Sequence, residues 1–374
     1  MIRFLHSVFY FLFLIFRKKH YCVIFYAPHH FNRGENTENL FFTDLLDVCK
    51  KYNISYLYLE EPDIYSNQKR SNIAIPFDFI YYLIVFLRKF MGSEMSYIEV
   101  DKKIGRFLSK IFFRRLSFDN YITISQSLLS FFNSINLDAK RFDLQHGTIH
   151  SRKEGVMYDG IVSSDLQEND VHLLLSGNAY KELLIKNERE NYFQNHIQVI
   201  GTSFFKYKYV IPSEINKNVL VSLQFTHDHQ KEENQNIADI LEQQIKNEPD
   251  FHFFLKKHPR FNNEVDLNRF LSLPNTSLLN SSLKDSFTRC SFHLTAYSTV
   301  TFEAALLGIP TCFLQLNCFK MDIFNTQYKY PYYKYSLSDL NDNYSICSLK
   351  VKQWAEQFYQ PFCEASFLKA LKNV

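Results

Sequence analysis

One stretch decides the fold: FHLTAYSTVTFEAALLGIPTCFLQL, residues 292–316. Its first six residues predict a buried strand, residues 298–308 an amphipathic helix that ends at Gly308, and residues 309–316 the next strand. A strand, a helix and a second strand in this order form a βαβ unit, in which the two strands are parallel. The stretch therefore predicts an α/β fold.

The same alternation of short apolar runs and helical patterns continues on both sides of this unit. The predicted strands lie at 21–28, 55–60, 121–125, 141–145, 171–177 and 197–201, and then at 219–225, 251–257, 276–280, 292–297 and 309–316. A polar, proline-containing linker at 206–218 separates the two groups. We therefore predict two doubly wound, Rossmann-like domains, 1–205 and 206–374, with the last helix free to pack back on the first domain, and ligand bound in a cleft at the strand ends.

The composition excludes several function classes. The chain has 42 Lys and Arg against 39 Asp and Glu, a net charge of +3, whereas nucleic-acid-binding domains usually carry a strong basic excess. We therefore expect no nucleic-acid partner. The motifs GxGxxG, P-loop and GxSxG do not occur, which removes the usual dehydrogenase, NTPase and hydrolase interpretations. The seven cysteines form no CxxC pair and predict free thiols in a reducing compartment.

The sequence AYSTVTFEAALLGIP, residues 296–310, predicts an anion site. Ser298 and Thr299 supply hydroxyl groups at the start of a helix, where free backbone N–H groups and the helix dipole favour negative charge. Glu303, one turn further on, could accept hydrogen bonds from ribose hydroxyls. The alternative is an ordinary N-cap followed by an acidic residue in the first helical turn.

A second motif, FHFFLKKHPRF at 251–261, predicts a phosphate site at the end of a buried strand. Lys256, Lys257, His258 and Arg260 cluster there, and Pro259 fixes the turn that follows the histidine. Three cations and an imidazole suit the phosphate of a nucleotide. The alternative is a solvated, charged loop.

The third motif is DLQHGTIH, residues 143–150. His146 follows a predicted strand, Gly147 permits a tight turn, and the imidazole pKa suits a general base. His150 is an acceptor contact at best. A metal site is not expected, because the pair lacks the glutamate of a zinc-protease helix and the sequence does not favour a helix. A hydrogen-bonded structural histidine is the alternative.

Weaker candidates follow the first strand of each domain. His29 and His30 are followed by Arg33-Gly34-Glu35, which could contact acceptor or donor, and His229 lies in THDH after the first strand of the second domain. Both positions face ligand in doubly wound domains. Both are also compatible with ordinary polar loops.

Together, LQHGTIH, KKHPR and AYSTVTFEAALLGIP resemble a bacterial GT-B glycosyltransferase of surface-polysaccharide synthesis, over roughly residues 140–315. Families with an HP motif and a later Ser/Thr pair include bacterial sialyltransferases, capsule Kdo transferases and polysialyltransferases. The CDP-glycerol glycerophosphotransferases share an HG motif as well. The resemblance implies a GT-B fold, two Rossmann-like domains facing a central cleft, and a cytidine-activated donor.

The resemblance also implies roles for matching residues. His258 and Pro259 match the HP motif that contacts donor phosphate, and Ser298 and Thr299 match the Ser/Thr pair on the same phosphate. Glu303 matches a position where many GT-B enzymes bind ribose, and His146 and Gly147 match the HG element that faces the acceptor. From their positions alone, Lys256, Lys257 and Arg260 would complete the donor side, and His29 and His150 would face the acceptor.

The motifs leave two candidates for the general base. The acidic-acidic-Gly motif that carries the base in sialyltransferases is absent, so the base shifts to His146, with Asp159 of Tyr158-Asp159-Gly160 as the alternative.

The expected function is an inverting, metal-independent transfer of a sugar from a nucleotide-activated donor, with CMP-Kdo or CMP-sialic acid favoured, to a capsule or lipopolysaccharide acceptor. No cofactor is expected beyond the nucleotide-sugar substrate. The alternatives are a CDP-polyol phosphotransferase, a UDP- or dTDP-sugar transferase and a non-catalytic GT-B-like scaffold. A sugar-nucleotide 2-epimerase shares the fold, but few acidic residues are placed for its elimination chemistry.

Two apolar segments suggest a membrane surface. Residues 4–16 predict a short helix followed by Arg17-Lys18-Lys19, and FDFIYYLIVFLRKF at 77–90 combines aromatic residues with Arg88 and Lys89. The first run is shorter than the roughly 20 residues of a membrane-spanning helix, and no signal-peptide cleavage site follows it. We expect a cytoplasmic protein, peripheral at the inner face of the membrane, with a glycan or lipid-linked oligosaccharide as acceptor. A buried helix in a Phe-rich core is the alternative for 77–90.

Overall fold

The computed structural model describes residues 2–32, 38–63, 66, 68–91, 95–203, 215–316 and 318–372. The chain divides into two compact units: unit 1 comprises Met1–Phe204 and Tyr359–Val374, and unit 2 comprises Phe205–Phe358. Arg33-Gly34-Glu35 and most of the predicted linker lie outside the described residues. Each unit contains its own parallel sheet.

Unit 1 contains a seven-stranded sheet and a small hairpin. Its strands are β1 (Lys19–Pro28), β2 (Tyr56–Glu61), β3 (Ile75–Pro76), β4 (Leu116–Ile124), β5 (Lys140–Leu144), β6 (Met157–Tyr158), β7 (Ile161–Val162), β8 (Val171–Leu175) and β9 (Ile197–Val199). The order across the sheet is β3-β2-β1-β4-β5-β8-β9, every pair is parallel, and β6 and β7 form an antiparallel hairpin.

The helices of unit 1 pack around this sheet. They are α1 (Ile2–Phe16), α2 (Thr43–Lys51), α3 (Asp78–Met91), α4 (Tyr97–Leu108), α5 (Leu129–Ile135), α6 (Ser164–Glu168) and α7 (Asn178–Asn187), with a 3-10 turn at His29–Phe31 and a π-helical turn at Ser109–Phe113. Among the described residues, no helix combines the length and apolar character that crossing a membrane requires.

The central strand β1 explains the order of the sheet. Its residues from Val23 to Pro28 are all buried, so the strand is covered on both faces, as its continuous apolar sequence predicts. Strands β2 and β3 lie on one side of β1, and the later strands β4, β5, β8 and β9 lie on the other. The strand order therefore reverses between β1 and β4, which is where doubly wound sheets bind ligands at their carboxyl ends.

Unit 2 repeats this plan with five strands. They are β10 (Asn218–Ser222), β11 (His252–Lys256), β12 (Thr276–Leu279), β13 (Phe292–Thr295) and β14 (Thr311–Phe313), in the order β12-β11-β10-β13-β14 and all parallel. The helices are α8 (Lys231–Asn247), α9 (Asn268–Leu271), α10 (Leu283–Phe287), α11 (Val300–Leu306), α12 (Phe319–Thr326), α13 (Leu337–Asp342) and α14 (Tyr344–Phe358). The strand order reverses between β10 and β13. After α14 the chain forms α15 (Glu364–Ala370), which belongs to unit 1.

A buried histidine forms hydrogen bonds to the strands on both sides of β13. His293 of β13 is fully buried, and its ring nitrogens lie 2.9 Å from Thr311 Oγ1 of β14 and 2.9 Å from Ser222 Oγ of β10. Burial lowers the pKa of His293 to about 3, so the ring is neutral and both nitrogens are hydrogen-bonded. It is a structural histidine of the core.

The predicted elements are confirmed, but several ends differ. The helix predicted at 298–308 begins only at Val300 and ends at Leu306. Most strands end one to three residues before the predicted point, because the residues after them turn into loops. Those loops carry the candidate site residues.

The packing of α4 on α5 leaves no room for a side chain at Gly105. A Cβ atom there would lie 2.0 Å from Ser134 Oγ and 2.6 Å from the carbonyl oxygen of Phe131. We expect Gly105→Ala to lower the free energy of unfolding by about 1–3 kcal/mol, more than the ~0.5–1 kcal/mol that alanine gains in a helix. Gly147→Ala is the control, since a Cβ there meets no atom within 4 Å. Urea unfolding of both variants measures this difference, and equal stability would contradict the packing.

Candidate functional site

His146 lies just after β5, in an irregular segment at the carboxyl edge of the unit 1 sheet. Its ring is half-buried and meets the edge of Phe31 at 5.3 Å between centroids. His146 and Gly147 line a small cavity of about 20 Å³ together with Asp143 and Lys153. The segment is not helical, so the spacing to His150 does not place both rings on one helix face.

Gly147 does not have the conformational role predicted for it. Its φ is not in the left-handed region, and no atom would contact a Cβ at this position. The glycine therefore leaves open space beside His146 and is not required by the turn.

The other two acceptor-side candidates of this region are held by local contacts. His150 Nδ1 accepts a hydrogen bond from the Arg152 amide at 3.2 Å, and burial followed by Lys153 lowers its pKa. Asp159 lies in the two-residue turn of the β6–β7 hairpin, with φ of 47°, and its carboxylate is 2.6 Å from Arg152 Nε. Asp159 thus has both a turn role and an ion-pair partner.

The histidines after β1 have different environments. His29 is buried, and its Nδ1 accepts a hydrogen bond from the Asp63 amide at 2.9 Å; burial, followed by Arg70, lowers its pKa. His30 lines a cavity of about 240 Å³, and its Nδ1 lies 2.7 Å from Asp63 Oδ2. His30 therefore faces open space, whereas His29 supports the loop.

Sequence reasoning missed two carboxyl groups in unit 1. Burial raises the pKa of Glu61, at the end of β2, to about 7, and it also raises the pKa of Asp143, near the end of β5, to about 7. Asp143 Oδ1 accepts a hydrogen bond from the Gln126 amide at 2.9 Å. The sequence could have indicated both residues, because each is an acidic residue that ends or interrupts a predominantly apolar strand. Both carboxyls bear on the expectation that few acidic residues are placed for the elimination chemistry of a 2-epimerase.

Two of the predicted cations of unit 2, Lys256 and Arg260, already bond other groups of the protein. The amino group of Lys256 donates to the Ser281 carbonyl, and Arg260 forms a two-bond ion pair with Asp228, at 2.9 and 2.5 Å. Lys257 is exposed, with Nζ 4.9 Å from the centre of the Phe261 ring. Of these cations, Arg260 is engaged by Asp228, whereas Lys257 has no ion-pair partner within the described residues.

His258 is oriented as a hydrogen-bond donor. Its Nδ1 accepts from the Arg260 amide at 3.1 Å, which places the proton of the neutral ring on Nε2. Burial, followed by Arg260, lowers its pKa, so this neutral form predominates near pH 7. Pro259, which follows it, is exposed in the same turn.

Ser298 and Thr299 lie between β13 and α11. Ser298 is buried, and its Oγ accepts a hydrogen bond from the Val300 amide at 3.2 Å. Thr299 is exposed at the N-cap position, and its side chain makes no capping bond. The capping arrangement that would explain this motif structurally is therefore incomplete.

Glu303 lies in the first turn of α11. Burial raises its pKa to about 7, and among the described residues its carboxyl has no hydrogen-bond or ion-pair partner. It does not form a capping box with Thr299. A half-buried carboxyl without a partner makes Glu303 a candidate ligand-binding residue.

Further groups join the two βα turns of unit 2. Gln224 Oε1, after β10, accepts hydrogen bonds from the Tyr297 amide at 2.8 Å and from Thr295 Oγ1 at 3.1 Å. The Tyr297 hydroxyl donates to His229 Nε2 at 2.5 Å. Lys320 places its amino group 5.4 Å from the centre of the Tyr297 ring, an exposed cation that the motifs did not reveal.

A possible metal-ligand group lies at the opposite end of the unit 1 sheet. His20, Cys22 and Asp119 bring their ligand atoms within 4.8 Å of one another, near the amino ends of β1 and β4. His20 also forms an ion pair with Asp119 at 3.2 Å, which explains the proximity without a metal. The three residues are therefore distant from His146, which lies at the carboxyl edge of the same sheet.

Comparison with known proteins supports the architecture. No protein-family model and no curated protein sequence matches the chain. Solved structures similar to the chain include three of low sequence identity. The UDP-GlcNAc 2-epimerase of Methanocaldococcus jannaschii is 13% identical, with coverage of 94% of this chain and 99% of that chain and a TM-score of 0.51. The UDP-GlcNAc 2-epimerase of Neisseria meningitidis is 10% identical, with coverage of 94% of this chain and 98% of that chain and a TM-score of 0.48.

For the wall teichoic acid polymerase TagF the identity is 13%, with 99% of this chain and 96% of that chain covered and a TM-score of 0.43. Of these three, only the archaeal epimerase exceeds a TM-score of 0.5, and at this identity the likeness concerns the fold alone. Together with the two parallel sheets, it identifies the chain as an α/β protein of the GT-B fold class, with two Rossmann-like units.

Proposed function

We propose that this protein is a glycosyltransferase that uses a nucleotide-activated sugar. One observation carries the proposal: Ser298, Glu303 and His258 all follow strands at the carboxyl edge of the unit 2 sheet, on both sides of the reversal between β10 and β13. Nucleotides bind doubly wound sheets at this position. The sequence motifs that resemble those of GT-B transferases fall on the same residues.

Unit 2 would bind the donor. The Nε2–H of His258, the amino group of Lys257 and the exposed hydroxyl of Thr299 are available to the phosphate. Glu303 would accept hydrogen bonds from the ribose hydroxyls. These groups stabilise the negative charge that develops on the leaving phosphate, so the proposal requires no metal ion.

Unit 1 would bind the acceptor, with His146 as the general base. The base removes the proton from an acceptor hydroxyl as its oxygen bonds to the anomeric carbon, and the bond between that carbon and the donor phosphate breaks. A single displacement of this kind inverts the anomeric centre. Asp159 is a weaker choice of base, because Arg152 already neutralises its carboxylate.

The motifs favour a CMP-sugar such as CMP-Kdo or CMP-sialic acid, and a capsule or lipopolysaccharide acceptor. A CDP-polyol donor, a UDP- or dTDP-sugar and a non-catalytic scaffold are the alternatives. Epimerisation of a sugar nucleotide gains support from the pKa values of about 7 for Glu61 and Asp143, because such carboxyls suit proton abstraction.

The basis for a membrane-surface location is the outer face of α1. Phe11 and Leu14 are buried, whereas Ile2, Phe9 and Phe16 are exposed to 83%, 69% and 73%. The exposed residues recur at helical spacing and form an apolar stripe opposite the packed face. The sequence from Ile2 to Lys19, including both ends, contains four Lys or Arg residues and no Asp or Glu.

The stripe continues on α3. Phe4 of α1 meets Tyr82 of α3 at 6.4 Å between ring centroids, and Phe86 and Phe90 extend the exposed face along α3. An apolar face with lysine and arginine beside it suits the surface of an anionic bilayer, where aromatic residues enter the headgroup region. We therefore propose that α1 and α3 hold the protein at the membrane.

Glu303→Gln should change stability and nucleotide binding in opposite directions. A carboxyl whose pKa rises from 4.5 to about 7 on folding destabilises the protein as pH rises through that range, and the full effect is present above pH 7. The substitution should therefore raise the unfolding temperature at pH 8 and have little effect at pH 4.5. It should weaken binding of the preferred nucleotide at least about 10-fold, since hydrogen bonds to charged groups contribute ~1.5–3 kcal/mol.

Thermal shift with CMP, CDP, UDP and dTDP measures both effects, with the exposed Glu356→Gln as control. Unchanged nucleotide affinity in Glu303→Gln would exclude the ribose role. Selective stabilisation by UDP would overturn the cytidine preference, and the absence of any shift would favour the scaffold.

His146→Ala should reduce sugar transfer about 100-fold or more without changing donor affinity, because a general base contributes about 10²–10⁴ to the rate. Transfer of labelled sugar from the stabilising nucleotide sugar into a membrane preparation of the source organism measures this loss. His252→Ala, at the amino end of β11, removes another hydrogen-bonded imidazole as control. Equal transfer by the two variants would exclude His146 as the base, and conversion of UDP-GlcNAc to its 2-epimer would replace the transferase proposal.

The double variant Phe9→Glu/Phe16→Glu should lose at least 10-fold in binding to vesicles of phosphatidylglycerol and phosphatidylcholine. Each buried phenylalanine contributes about 1.5–3 kcal/mol to such binding. The matched control is Ile346→Glu/Leu349→Glu, which alters two residues of α14 that are each 58% exposed. Flotation measures the bound fraction. Failure of the wild-type protein to float, or equal flotation of both double variants, would contradict the proposed surface.

A further inference from the structure

A polar cavity of about 330 Å³ in unit 1 lies outside the residues that carry the proposed reaction. Its lining comes from the end of β2, from α3, α4 and α6, and from the loop after β4. It adjoins the cavity of about 240 Å³ beside His30, and Glu61 and Tyr81 line both. The volume lies in the range of small-molecule sites.

The loop after β4 is held in a strained conformation at this cavity. Ser125, Gln126 and Leu128 have φ of 61°, 58° and 51°, a region that residues other than glycine rarely adopt. Hydrogen bonds fix the loop: the Gln126 amide donates to Asp143, and the Tyr121 hydroxyl donates to the Ser127 carbonyl at 2.6 Å. Strain that surrounding contacts maintain is concentrated at ligand-binding sites.

The charge of the lining excludes anionic ligands. The one cation of the lining, Arg88, forms two hydrogen bonds with Asp101, at 2.8 and 2.7 Å, so the pair is neutral overall. Glu61 and Asp165 remain, and burial raises the pKa of both. Two acidic groups without a compensating cation offer no positive charge to phosphate or carboxylate and repel both when ionised, which disfavours a nucleotide or an acidic sugar as ligand.

The hydrogen-bonding groups match a sugar. The Tyr26 hydroxyl donates to Glu61 Oε2 at 2.7 Å and orients the carboxyl, while Oε1 has no hydrogen-bond partner within the described part of the chain. Tyr81, Tyr97 and Ser125 line the same cavity. Carboxylate and hydroxyl groups bond sugar hydroxyls, and tyrosine rings pack against the apolar faces of a sugar.

We propose that this cavity binds a neutral sugar unit of the acceptor glycan, with Glu61 Oε1 accepting a hydrogen bond from a sugar hydroxyl. The inference rests on the proposed transferase function only in naming the acceptor as the source of the sugar. It adds a site that selects neutral over acidic sugars.

Saturation-transfer NMR on the full-length protein without nucleotide tests the site. The probes are galactose and N-acetylglucosamine against galacturonic acid and N-acetylneuraminic acid. Saturation of the neutral sugars is expected, with little or none for the acidic ones. Glu61→Ala should weaken binding at least about 10-fold, while Glu61→Gln, which keeps an acceptor oxygen, should recover part of it. Glu182→Ala, an exposed residue of α7, is the matched control.

Three results would overturn the inference: no saturation of either neutral sugar, equal saturation of the acidic sugars, or equal binding by Glu61→Gln, Glu61→Ala and Glu182→Ala. Thermal unfolding of each variant checks its fold, and Glu61→Gln keeps the test valid if Glu61→Ala is unstable. Sugar binding together with the absence of any nucleotide shift would contradict the proposed transferase function and leave the cavity assignment standing.

Discussion

The structure depends on the burial of two central strands, β1 and β10, on both faces of their sheets. Strands covered on both faces have no place for charged side chains along their length. Polar groups are therefore displaced to the strand ends, and parallel pairing brings the carboxyl ends of neighbouring strands to one edge. Because the strand order reverses beside each of these strands, the loops on its two sides diverge and leave space for a ligand.

Burial also sets the chemistry of the carboxyl groups at these edges. Glu61, Asp143 and Glu303 each have a pKa of about 7, and in each case desolvation is the largest cause. None of the three forms an ion pair in the described chain, in contrast to the buried Asp101, which is bonded to Arg88. A paired acid contributes to the fold, whereas an unpaired acid near pKa 7 can take up or release a proton at neutral pH.

Several individual assignments depended on contacts that separate neighbours in the sequence. His29 and His30 are adjacent, yet one supports a loop through Asp63 and the other lines a cavity. Lys256 and Lys257 are also adjacent, but one is bonded to the Ser281 carbonyl and the other is exposed. Adjacent side chains point in different directions, and the position of the neighbouring element then decides which of them is available to a ligand.

The sequence alone determined the α/β class, the two sheets, most strand and helix positions, and the loops that carry His146, His258 and Ser298, because hydrophobic periodicity and turn residues act locally. Tertiary structure decided which groups have partners. The ion pairs of Asp159 and Arg260, the isolation of Glu303 and the orientation of Glu61 by Tyr26 all join residues on different segments or reflect the packing around them. Burial and charge pairing are properties of the assembled fold, so the pKa values and cavities that define the site could not be predicted from periodicity.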